Sequence, residues 1–394
     1  MMIQAVLGNP HHPEYGVATI PFPIPRDQYA HCVELLEALE IGDAVKADCK
    51  VERIDSFYTV LKRTEMLTVN VEELNYLAKR LDSFDTGEAA QFQAMAHKLE
   101  LFELKDLINL TFCCQQATVI TDFSDLAAIG RDHYMNLHGG SASVDELNAL
   151  DGKGTARQLI ESGSGTITPY GVVYDNGMKL EQVYDGRFFP CYYYEPNAIT
   201  VAVTAKSEPE DTEHITWLFL PMVQEEIDRA LLRGGITDPS EIRLSLEDSW
   251  LPHEVFDLLD MDHVDISELN ALVQALDEFS DMSIRKYAAA AVMARPHTTE
   301  QAKHLAENLD LFDFAPSAST PEEYGKYMIQ QSGRFEYDEN LDAFYDYEKY
   351  GTERMNAEDG MFTDRGYIAY KGYTSMEEVM NGSQSSHMEM GGMM

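Results

Sequence analysis

The residue types that could do chemistry are present, but at spacings that fail. His253-Glu254-Val255-Phe256 opens like a zinc-protease helix. Such a helix holds its metal between histidines one turn apart, and here Asp257 takes the second position. Asp260, Asp262 and Asp265 hint at a calcium loop, yet its ligand and glycine positions hold Val264 and Asp265. Gly152-Lys153-Gly154-Thr155 lacks the upstream glycine of a phosphate-binding loop. His11-His12 sits between Pro10 and Pro13 and reads as a solvated turn. Cys113-Cys114 follows an apolar stretch and reads as core. The five cysteines, Cys32, Cys49, Cys113, Cys114 and Cys191, form no CxxC, as expected of reduced thiols. No enzyme, metal or cofactor is expected. A cryptic metal-dependent enzyme would have to draw on His11, His12 and Cys113.

Charge is the dominant signal. The 394 residues carry 68 Asp and Glu against 29 Lys and Arg, a formal net charge of −39. Such a chain is repelled by DNA, RNA and anionic lipid, so neither nucleic acid nor membrane is an expected partner. No apolar run approaches the roughly 20 residues of a spanning helix. The start MMIQAVLGNPHHPEYG has no basic or long apolar region of a signal peptide, so a cytoplasmic location is expected. At 44% hydrophobic residues the chain has material for real cores.

The elements that must carry this charge read as one unit written twice. Val69-Asn70-Val71-Glu72-Glu73-Leu74-Asn75-Tyr76-Leu77 returns as Val264-Asp265-Ile266-Ser267-Glu268-Leu269-Asn270-Ala271-Leu272. Asp55-Ser56-Phe57 pairs with Asp248-Ser249-Trp250, Gly154 to Arg157 with Gly351 to Arg354, and Thr168 to Val173 with Thr363 to Ile368. The expected fold is α+β, an elongated multi-domain chain of two tandem units. Each holds a strand-rich part, a helical part and a C-terminal α/β part: 1–68, 69–120 and 121–195, then 196–263, 264–315 and 316–380. A disordered tail is expected over 381–394. Strands are expected at Ile3 to Leu7, Val17 to Pro23, Ile199 to Val203 and Ile215 to Pro221. Asn70 and Asp265 cap helices whose leucines (74, 77, 81 and 269, 272, 276) form a buried stripe. Thr320-Pro321-Glu322-Glu323 starts another helix. Phe188 to Tyr194 is too aromatic for a free linker and should pack.

Residues 1–195 hold 29 acids and 15 bases; residues 196–394 hold 39 and 14. A surface role for this acidity is clearest from Arg334 to Gly351. There Glu336, Asp338, Glu339, Asp342, Asp346 and Glu348 interleave with six aromatics that can bury on one side. Carboxylates in such number can stand in for phosphates: 39 charges equal those of roughly 65 Å of B-DNA.

The second copy resembles the ArdA antirestriction family. The resemblance lies in Ile266 to Leu272, Thr320 to Gly325, Asp346-Tyr347-Glu348-Lys349-Tyr350-Gly351 and Phe362 to Ile368. The first copy resembles it more distantly, through Glu72 to Leu77 and Phe123-Ser124-Asp125-Leu126. The resemblance implies a DNA mimic without catalysis or cofactor, occupying the DNA-binding groove of a type I restriction–modification enzyme. It also implies a homodimer, or, at twice the family's usual length, an intrachain pseudo-dimer. The expected target-facing acids are Asp248, Asp277, Glu278, Glu322, Glu323, Glu336, Asp338, Glu339, Asp342, Asp346 and Glu348, with Asp122 and Asp125 in the first copy. The alternative is an acidic scaffold for another DNA-binding host defence protein.

Overall fold

The computed structural model describes residues 2–259, 261 and 263–382. Asp260, Asp262 and the expected tail from 383 onward lie outside the described residues. The chain is mixed α and β and forms two compact units. Among the described residues, the first comprises those up to Pro196 with Glu210–Trp217 and Val223–Thr237; the second comprises the others.

In the first unit, β1 (Ile3–Gly8), β2 (Val17–Phe22), β3 (Cys49–Asp55) and β4 (Thr68–Val69) form an antiparallel sheet in the order β2-β1-β3-β4. Strict alternation buries Ile3, Ala5 and Leu7 opposite Ala18, Ile20 and Phe22, the period-two pattern of a half-buried sheet. Helix α1 (Tyr29–Glu37) follows β2. Helix α2 (Val71–Asp82) starts where Asn70 accepts the Glu73 N–H at 3.1 Å, and its leucine stripe is buried as the periodicity predicts. Asn75 on this helix also accepts the Ile24 N–H at 2.9 Å, tying it to the end of the sheet. Helices α3 (Thr86–Lys98) and α4 (Leu104–Leu110) complete the helical part. Beyond them β5 (Thr118–Ile120), β6 (Thr166–Thr168) and β7 (Gly171–Tyr174) pair in the order β5-β7-β6. The connection holds α5 (Leu126–Leu137), α6 (Val144–Ala149) and α7 (Gly152–Glu161).

Helix α8 (Gln224–Arg233) belongs to this first unit although it lies in the second half of the sequence. Ion pairs and hydrogen bonds fix it there. Arg229 Nε donates to Glu72 at 2.6 Å and its Nη2 to Gly42 O at 2.7 Å, and Lys79 pairs with Glu226 at 3.1 Å. Arg233, only 4% exposed, donates to Ala44 O, Asn70 Oδ1, Arg187 O, Gly186 O and the Tyr184 hydroxyl. Its guanidinium lies 4.4 Å over the Phe189 ring, which stacks on Tyr76 and Tyr184. The aromatic connector thus packs, as its composition requires.

The second unit holds β8 (Ile199–Ala205), β9 (Thr216–Leu220) and β10 (Ile242–Ser249) in the order β10-β8-β9; the first two residues of β9 cluster with the first unit. A short α9 (His253–Phe256) leads to α10 (Ile266–Asp277), α11 (Asp281–Ala294) and α12 (Thr299–Glu307). Leu269, Leu272 and Leu276 are buried, and Asn270 accepts the Met222 N–H at 2.9 Å. Strands β11 (Phe312–Pro316), β12 (Asp359–Thr363) and β13 (Gly366–Tyr370) pair in the order β11-β13-β12 around α13 (Pro321–Gln330) and α14 (Tyr347–Ala357). Helix α15 (Met376–Met380) follows. Helices α13 and α14 touch backbone to backbone. A Cβ on Gly351 would lie 1.8 Å from Pro321 O, and one on Gly325 would lie 2.0 Å from Tyr347 O. Gly351→Ala must therefore separate the helices. A loss of about 1–3 kcal/mol is expected, visible as a lower midpoint in chemical denaturation.

Candidate acidic interface

The thirteen expected acids lie on helix ends, a strand end and one long loop. Asp248 is exposed near the end of β10. Asp277 closes α10 and Glu278 is its C-terminal cap, both exposed. Glu322 and Glu323 occupy the first turn of α13, and Thr320 caps it by accepting the Glu323 N–H, as the sequence predicts. Glu336, Asp338 and Glu339 lead into a 3₁₀ turn over Glu339–Phe344; Asp346 caps α14 and Glu348 sits in its first turn. Asp122 and Asp125 are in the first unit, with Asp125 capping α5 through the Ala127 and Ala128 N–H groups. Twelve of the thirteen are exposed.

Asp342 is the exception. Its Oδ1 accepts hydrogen bonds from Tyr347 OH at 2.5 Å, Tyr337 OH at 2.7 Å and Gln330 Nε2 at 2.8 Å. It is half-buried and pins the loop to α13 and α14. The six aromatics of this stretch, which the sequence allows to bury on one side, divide. Four tyrosines are half-buried, whereas Phe335 is 48% and Phe344 83% exposed. For Phe344 the physical reason is the 3₁₀ period of three over Glu339–Phe344, which the alternating acid–aromatic spacing does not reveal.

Several cations of the second unit pair with acids outside the candidate set. Arg334 and Lys371 both reach Asp313, at 2.6 and 3.0 Å; Arg365 grips Glu254 through two bonds of 2.7 and 3.0 Å; Arg354 pairs with Glu358. Among the described residues, none of the thirteen candidate acids is in an ion pair. Asp342 apart, their charge is left facing water. Hydrogen bonds reinforce the ionised form in four of them. The Ser124 hydroxyl and N–H hold Asp122 below the ordinary aspartate range, the Ala128 N–H does so for Asp125, and the Ser319 hydroxyl for Glu323.

The Tyr347 hydroxyl, then that of Tyr337, lowers Asp342. A carboxyl lowered in the fold stabilises it above the unfolded value and ceases to do so as pH falls through the folded one. The loop should therefore loosen only below the ordinary aspartate range. Tyrosine fluorescence followed through acid titration should show that step, and Asp342→Asn should remove it.

Asp277 and Glu278 occupy the negative end of a helix that has no base in its last turn. Helix energetics favour cations there. Glu278→Lys is expected to stabilise the protein by roughly 0.3–1 kcal/mol. It should weaken partner binding at the same time, so thermal melts and affinity should move in opposite directions. Glu353, Asp359 and Asp364 are further exposed acids of the same region, outside the dense run from Arg334 to Gly351.

The residues considered for catalysis are not brought together. Cys113 is buried, and burial raises its thiol pKa, so it is a poor nucleophile. His12 pairs with Glu14 at 3.1 Å and stacks on Tyr15. Among the described residues no group of three or more His, Cys, Asp or Glu is placed to hold a metal ion.

Twelve exposed carboxylates that form no ion pair among the described residues thus stand on the surface of these elements. Residues 212–369 match the family model described as antirestriction protein (ArdA), so this segment is similar to that family. Eleven of the thirteen candidate acids fall within it; Asp122 and Asp125 do not. No curated protein matches the chain. No helix among the described residues is long and apolar enough to cross a membrane.

Proposed function

We propose that the protein is a non-catalytic antirestriction DNA mimic, acting on the DNA-binding groove of a type I restriction–modification enzyme. The observation that carries this reading is the set of exposed acids over the ArdA-matched segment that form no ion pair among the described residues. A cationic groove built for phosphates attracts such a surface at long range and loses it to added salt. Chemistry need not enter: occupying the groove is enough.

We also propose that the chain is a tandem duplication. Helices α2, α3, α4, α5 and α7 begin 195 residues before α10, α11, α12, α13 and α14, and β7 begins 195 before β13. Side-chain details repeat at the same spacing. Phe84 meets Phe92 edge-on at 6.2 Å, and Phe279 meets Tyr287 at the same distance. Thr168 and Thr363 each donate to the glycine carbonyl three residues on, at 2.8 Å. One chain then offers two acidic units, and the stoichiometry of its complex would report whether both are used.

The test is binding of the full chain to a purified type I methyltransferase core, with and without competing duplex, at two salt concentrations. Binding that duplex displaces and salt weakens is expected. Binding indifferent to duplex would overturn mimicry in favour of an acidic scaffold role. Absence of binding would overturn this target.

A further inference from the structure

The 3₁₀ turn Glu339–Phe344 sorts its side chains by rows of three. In such a helix residues i and i+3 eclipse one another. Asp342 is held inward by the two tyrosine hydroxyls and Gln330. The row Asp338, Leu341, Phe344 is then left outward: Asp338 is exposed, Leu341 is 47% exposed and Phe344 is 83% exposed. Two large apolar side chains thus stand together at the surface, flanked by Asp338, Glu339 and Asp346, none of them in an ion pair among the described residues. Phosphate imitation accounts for the carboxylates and leaves the phenylalanine unexplained.

We propose that this ridge is a docking knob that selects arginine over lysine on a cationic partner surface. The inference rests on the mimic reading and adds the chemistry of the partner. A guanidinium is planar and weakly hydrated. It can stack on an aromatic face while its N–H fork engages a carboxylate, and an ammonium cannot do both as well. Phe344 supplies the face, and the neighbouring acids supply the acceptors. A second copy of this chain is a poor occupant, because its net charge of −39 repels the same acids. The ridge is also a sequence difference between the two halves of the chain. The helix α6, 195 residues earlier, carries Glu146 and Ala149 where the turn carries Leu341 and Phe344.

The experiment titrates the full chain into fluorescent oligo-arginine and oligo-lysine peptides of equal length and reads anisotropy at two salt concentrations. The arginine peptide should bind about two- to five-fold more tightly, the range an exposed cation–π contact provides. Phe344→Ala should erase that preference and leave the lysine affinity unchanged. Phe344→Leu, which keeps an apolar side chain without a ring, should erase it as well. Both variants change an exposed side chain, and circular dichroism checks that the fold is intact. Equal affinity of the wild-type chain for the two peptides overturns the proposal, and so does a preference that survives Phe344→Ala. Failure of the mimic reading has a different signature, namely methyltransferase binding that is absent or indifferent to duplex.

Discussion

Arg233→Ala is expected to cost the first unit about 3–5 kcal/mol, the usual penalty for breaking a buried, fully bonded charge network. The guanidinium serves three carbonyls, of Ala44, Gly186 and Arg187, together with Asn70 Oδ1 and the Tyr184 hydroxyl, and lies 3.6 Å from Glu73. Truncation leaves these groups short of donors and Glu73 without its cation. It also uncovers the Phe189 ring. Arg233→Lys should rescue little, because an ammonium on a flexible stem cannot reproduce a fork that reaches several acceptors at once. Hydrogen exchange localises the effect. Amides of β1 and β3 should lose protection, while those of β11 and β13 in the second unit keep theirs. A loss below 1 kcal/mol, or one spread equally over both units, would show that α8 is not held by this residue.

That α8 belongs to the first unit could not be read from the sequence. Its buried Ile227 and Leu231 announce an apolar face without saying which core receives it. Arg233 reads as an ordinary base in a helix's last turn, where the dipole favours one anyway. Yet its assignment changes the charge argument. A division after residue 195 gives net charges of −14 and −25. With the six acids and two arginines of 210–217 and 223–237 moved to the first unit, the compact units carry −18 and −21. Composition alone therefore does not single out the second unit as the more acidic body.

What was legible is local. Thr320-Pro321, Asn70 and Asp265 start helices because their side chains accept N–H groups within three residues, and no distant partner decides that. The third part was legible only in outline. Pairing Gly154 with Gly351 by sequence matches a glycine to a glycine. The constant spacing of 195 instead sets Gly351 opposite the fully buried Ala156, and Gly152 opposite Tyr347. Short motifs slide because identical residue types recur; a backbone-to-backbone helix contact does not. The acids were legible as types and as positions. Only the structure separates Asp342, which builds the loop, from its neighbours that face water.

This distinction sets the terms for the larger functional prediction. Neutralising Glu322, Glu323, Glu336, Asp338, Glu339, Asp346 and Glu348 together, as Gln and Asn, should weaken binding to the methyltransferase core at low salt by at least about 100-fold. That asks less than 0.5 kcal/mol of each, within the range of exposed charges. Single substitutions should barely register. The residual binding should also depend less steeply on salt, because fewer charges contribute to the encounter. Asp342 is left intact in this variant for a reason. Its three hydrogen bonds hold the loop, so Asp342→Asn would mix a change of shape with a change of charge. The matching control neutralises Asp122 and Asp125 in the first unit, where both are exposed but outside the ArdA-matched segment. An equal loss from two charges there as from seven in the second unit would move the interface to the first unit. No loss from the sevenfold variant would mean that the exposed acids of this segment are solvation alone.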